Sequence, residues 1–91
     1  MSPSEPARDL RRLKAALDTY QVWPTLYVFK FIVPQAQLNH LLALLDGIPT
    51  TTRDSRTGKY VAVTAETKMS NSDEVIEVYQ RVSGIEGIRA L

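Results

Sequence analysis

The chain contains no cysteine and a single histidine, His40. Without thiols, disulfides and thiolate metal sites are excluded, and with them the usual staple of a small secreted domain. Charge of one sign is also lacking. Eleven basic residues stand against ten acidic ones, a formal net charge of +1 that exerts no global pull on nucleic acid or anionic membrane. No apolar run approaches the ~20 residues needed to cross a bilayer, so no membrane partner is expected. The polar Met1–Pro6 stretch, followed by a basic segment, lacks the pattern of a signal peptide. By elimination the expected location is cytoplasmic.

What is present is the composition of an ordinary globular domain: 91 residues, 44% apolar and 23% charged. That length accommodates one core. A domain of this size buries only roughly 60–65% of its unfolded surface, so further burial against a second copy or another protein is a natural expectation.

The segment from Ala7 to Tyr20 carries Leu10, Leu13, Leu17 and Tyr20 as one helical stripe, with Trp23-Pro24 as its terminator. Thr25 to Val33, rich in aromatic and β-branched residues, predicts a central strand. Tyr27, Phe29, Phe31 and Val33 lie on one face, and Leu26, Val28, Lys30 and Ile32 on the other. Pro34 suits the first turn of a second helix, whose stripe is Leu38, Leu41, Leu42 and Leu45 and whose stop is Gly47. Ile48 to Asp54 predicts an edge strand. The turn Ser55-Arg56-Thr57-Gly58 then joins it to a strand over Lys59 to Lys68. Asn71, with Glu74 three residues on, opens a third helix with a stripe of Val75, Ile76, Val78, Tyr79 and Val82. Ile85 to Leu91 predicts a last strand.

After the first helix the order is β-α-β-β-α-β, with short joins and a central hairpin. The right-handed crossover rule turns this into an α+β, ferredoxin-like sandwich: a four-stranded antiparallel sheet with two helices on one face. The expected division is an N-terminal helical extension over 1–22 and the sandwich over 23–91. The first and third strands are expected at the centre, leaving Lys30, Tyr60, Thr64, Glu66 and Arg89 on the face without helices.

Trp23-Pro24-Thr25-Leu26-Tyr27-Val28-Phe29-Lys30, Ser55-Arg56-Thr57-Gly58-Lys59-Tyr60, Val78-Tyr79 and Ile85-Glu86-Gly87-Ile88 occur in that order. These motifs resemble the YbeD-like family of unknown function, over about three quarters of the chain. The resemblance implies a fold similar to the ACT domains that bind amino acids, and no established activity. Those ligand-binding relatives typically place an acid and a glycine between the first strand and first helix. Here that loop is Val33-Pro34-Gln35, a departure that counts against amino-acid sensing.

For catalysis the candidates are poor. His40 lies roughly 200° around its helix from Leu38, at the ~100° per residue of an α-helix, and so faces solvent. The acids Asp73, Glu74 and Glu77 cluster at a helix start, where the dipole already accounts for the first two. No enzyme activity and no cofactor or metal are expected. Gly58-Lys59-Tyr60-Val61-Ala62-Val63 has a superficial likeness to an RNA-recognition motif. It supplies one aromatic, Tyr60, where that motif uses three, and a nucleic-acid partner is not expected.

Basic residues gather in two places: Arg8, Arg11, Arg12 and Lys14 on the first helix, and Arg53, Arg56 and Lys59 around the hairpin turn. The second group can hold an anion or an acidic partner. Lys30, in the middle of a central strand, either snorkels over apolar surface or contacts a ligand. The expectation is a non-catalytic regulatory or protein-interaction module, pairing as a homodimer or with another protein. Its contact surface would comprise Lys30, Tyr60, Arg89, Arg53, Arg56, Lys59, Leu26, Val28 and Ile32. A ligand-sensing ACT-like domain is the alternative, and RNA binding a distant third.

Overall fold

A computed structural model describes residues 6–91, with side chains from Leu10 onward; Arg8 of the N-terminal basic group lies outside the described side chains. The elements are α1 (Pro6–Tyr20), β1 (Thr25–Pro34), a 3₁₀ turn (Gln35–Gln37), α2 (Leu38–Leu44), β2 (Thr50–Asp54), β3 (Tyr60–Met69), α3 (Ser72–Val82) and β4 (Arg89–Ala90). The four strands form one antiparallel sheet in the order β2-β3-β1-β4. This is the expected sandwich, with the two most apolar strands in the centre.

The period of two along β1 divides its side chains as the sequence requires. Phe29, Phe31 and Val33 are buried, and so are Val61, Val63 and Ala65 of β3. Leu41 and Leu45 cover them from α2 and its end, and Val75, Val78 and Val82 from α3. Tyr79 of α3 sets its ring edge-on to Phe29 and Phe31, with centroids 5.3 and 5.9 Å away. Its hydroxyl lies 3.4 Å from that of Tyr27. Burial, with that contact second, pushes the Tyr79 phenol well above its ordinary value.

Several boundaries differ from expectation, each for a local reason. The last strand is two residues long, not Ile85 to Leu91. Ile85 is buried as a plug at the end of α3, and turn bonds run from Ile85 N–H to the Val82 carbonyl and from Ile88 N–H to the Ile85 carbonyl. Gly87 turns the chain with φ +81°, and a Cβ there would stand 2.8 Å from the Pro34 ring. Pro34 ends β1, paired with Tyr60, instead of starting a helix. The second strand begins at Thr50, because the Ile48 N–H is taken by the Leu45 carbonyl and Pro49 has none to offer. The third runs one residue later than expected and buries Met69. At the start of α3, Asn71 accepts from Glu74 N–H at 3.0 Å as anticipated, while the Glu74 carboxylate accepts from Ser70 N–H at 2.6 Å.

The first helix ends at Tyr20, ahead of Trp23-Pro24, and Tyr20 is 83% exposed, so the stripe stops at Leu17. Leu17 joins the core, with Leu13 packed against it. α1 lies alongside α3 and antiparallel to it. Lys14 and Asp18 meet the start of α3 at Ser72 and Asp73, while Leu10 shares an apolar cavity of about 160 Å³ with Val82 and Ser83 at its end. Ser72 is buried between the helices; it accepts from the Lys14 ammonium at 2.9 Å and donates to the Asp18 carboxylate. The hydroxyl, and after it the ammonium, hold Asp18 below the ordinary carboxylate range, and the hydrogen bond to Asp73 leads in raising Lys14.

Candidate functional site

Because α1 joins the helical layer, it leaves the opposite face of the sheet uncovered. On that face Leu26 is 62% exposed, Val28 is 44% exposed, and Ile32 is partly exposed. The face is ordered by the strand register. Leu26, Val28, Lys30, Ile32 and Pro34 of β1 stand opposite Lys68, Glu66, Thr64, Ala62 and Tyr60 of β3. Thr51 and Arg53 of β2 continue the rows of Thr64 and Ala62, and Arg89 of β4 continues the row of Ile32. Leu91 extends the pairing, its N–H donating to the Lys30 carbonyl at 2.8 Å.

The face has two unlike halves. Near Leu26 and Val28 the charges balance, with Glu66 and Lys68 across the ladder. At the hairpin end Lys30, Arg53, Arg56 and Arg89 surround Ile32, Ala62 and Tyr60, and none of the four pairs with a described acid. Asp54, the acid nearest in sequence, borders the same region, and its carboxylate accepts from the Gln35 amide at 3.1 Å.

Shallow hollows cover this half. One of about 620 Å³ is lined by Ile32, Arg53, Arg56, Tyr60 and Ala62 with Asp54 and Ser55. The next joins Ile32 and Tyr60 to Pro34, Gly87 and Arg89. A third runs from Lys30 past Thr51 and Thr64 to Arg53 and Leu91.

Of the surface residues singled out from sequence, Lys30, Ile32, Arg53, Arg56, Tyr60 and Arg89 come together here. Lys59 does not share these hollows; it is exposed on the turn, where its carbonyl accepts from Gln35 N–H at 3.0 Å. Leu26 and Val28 lie at the balanced end. Ala62 was missed, although period-two alternation from Tyr60 puts it on this face, because only the register sets it between Ile32 and Arg53. His40 is exposed on α2. Among the described residues, no three His, Cys, Asp or Glu side chains cluster to hold a metal ion, and no helix is long and apolar enough to cross a membrane.

The solution structure of protein HP0495 from H. pylori superposes with a TM-score of 0.61 at 20% identity, covering 82% of this chain and 92% of that one. At that identity the likeness is one of fold. No curated protein matches the chain. A family model described as "Protein of unknown function (DUF493)" matches residues 20–91, from the last residue of α1 to the end. The chain therefore belongs to this family of unknown function, the YbeD-like family whose motifs the strands, hairpin and third helix carry.

Proposed function

We propose that the chain is a non-catalytic interaction module that holds a partner protein on the open face of its sheet. The observation that carries this reading is the composition of the hairpin half of that face. Four cations, none of them in an ion pair with a described acid, ring an aliphatic floor that the molecule's own first helix leaves bare. Exposed apolar surface rimmed by polar and charged side chains is the usual make-up of a contact surface. The same charge weighs against two copies meeting face to face, since that would oppose like charges. The partner is accordingly a different, acidic polypeptide.

The test is site-specific photo-crosslinking in cells of the full chain. A crosslinker at Tyr60 or Val28 should capture one discrete partner, and one at the exposed Gln80 of α3 should not. Capture from Gln80 alone would overturn the reading. Sedimentation at high micromolar concentration should show a monomer.

A further inference from the structure

We propose that the segment held on this face is an extended acidic peptide of the form acidic–x–apolar–x–acidic, lying across the strands between Arg89 and Arg53; this rests on the reading of the open face as a protein-docking surface. The register places Arg89, Ile32, Ala62 and Arg53 in one row across β4, β1, β3 and β2. Neighbouring strands lie about 4.8 Å apart, so three spacings separate the backbones of the two arginines by about 14 Å.

An extended chain advances about 3.4 Å per residue and points residues i, i+2 and i+4 to the same side, so the outer two of these stand about 14 Å apart. The two lengths agree. Acids at i and i+4 fall over the two guanidinium groups, which suit bidentate carboxylate binding. The residue between them falls over Ile32 and Ala62, the aliphatic centre of the row. Lys30, one row away, and Tyr60, on the other side, border this track.

A single-stranded nucleic acid fits the same charge less well. Such ligands lie on successive aromatic platforms, and Tyr60 is the one aromatic side chain that the register puts on this face. The floor offers aliphatic contact to a side chain, and no second ring for a base.

The experiment titrates the isotope-labelled full chain, at low salt, with the capped peptide Ser-Glu-Thr-Leu-Thr-Glu-Ser and follows amide shifts by NMR. The amides of Ile32, Ala62 and Arg53 should move. Arg53→Glu and Arg89→Glu should each weaken binding about tenfold or more, as expected for losing a charged hydrogen-bond partner and gaining a repulsive one. Lys68→Glu, at the balanced end, should change it by less than about twofold.

The rearranged peptide Ser-Glu-Glu-Leu-Thr-Thr-Ser, with the same composition, should bind at least about fivefold more weakly, because only one acid can reach an arginine while the leucine is seated. Equal binding of the two peptides would overturn the proposed spacing. Tighter binding of a ten-nucleotide oligothymidylate than of the spaced peptide would overturn the choice of a peptide. Crosslinking of a partner from Tyr60 that survives Arg53→Glu would sink this inference and leave the interaction module standing. Neither crosslinking from the open face nor peptide shifts would sink both.

Discussion

The two faces of β1 share one backbone and differ in nearly everything else. On the helical side Phe29, Phe31 and Val33 are buried among Tyr79, Val78, Leu41 and Val63, with the rings of Phe29 and Phe31 stacked 6.2 Å apart. On the other side Leu26, Val28, Lys30 and Ile32 remain wholly or partly in water. Both sides carry apolar residues, so hydrophobicity alone does not say which side is core. Coverage does. The two crossover helices present continuous stripes to the first face, and α1, the one element free to cover the second, is drawn to α3 by Leu17 and the Lys14–Ser72–Asp18 contacts. The uncovered side is then free to collect cations that a core could not hold.

The largest expected effect sharpens this contrast at neighbouring positions. Phe31→Ala removes a ring from the centre of the core and should cost about 3–5 kcal/mol in chemical denaturation. A cost below about 1 kcal/mol would break the assignment of faces. Leu17→Ala should cost about 2–3 kcal/mol, at the low end for a buried leucine because the site lies at the margin of the core. Its amide-exchange signature should be loss of protection in α1 ahead of the sheet. If α1 kept full protection, Leu17 would not be its anchor.

Asn71→Ala should cost about 1 kcal/mol by leaving the Glu74 N–H without its cap, measurable as a small fall in denaturation midpoint at unchanged slope. The junction between α1 and α3 should also respond to pH. Asp18 has a folded pKa below the ordinary value of 3.8, so its contribution is present above that value and is lost as pH falls through the folded one. Lys14 is shifted up from 10.5, so its contribution is present below that value and is lost as pH rises through the folded one. An NMR titration should show the Asp18 midpoint moving back up in Ser72→Ala; an unmoved midpoint would remove the hydroxyl as its main cause. The smallest effect is expected on the open face. Lys30→Ala should change stability by less than about 0.5 kcal/mol, as at other exposed positions without partners.

Local pattern determined a good deal of this protein. The alternation in Thr25 to Val33, the leucine spacing of α2, the Asn71 cap and the short joins were enough to specify the sandwich, its central strands and the outward side of Lys30. These follow from nearest-neighbour stereochemistry and burial periodicity, both written in consecutive residues. Where a local signal was ambiguous, packing overrode it. The apolar Ile85 and Ile88 read as strand but serve as plugs after α3, and Tyr20 continues a stripe whose burial ends at Leu17.

The docking surface lay further from reach. Lys30 and Arg89 could be assigned a face and Arg53 a place beside the hairpin turn, but that Arg89, Ile32, Ala62 and Arg53 make one row depends on the offsets between four strands. Those offsets are set by loop lengths and core packing acting together. Which face stayed bare was decided at a greater distance still, by the contact of α1 with α3, between residues 58 and 54 positions apart in the chain. A stripe of leucines states that a helix must be covered; only the tertiary structure states by what.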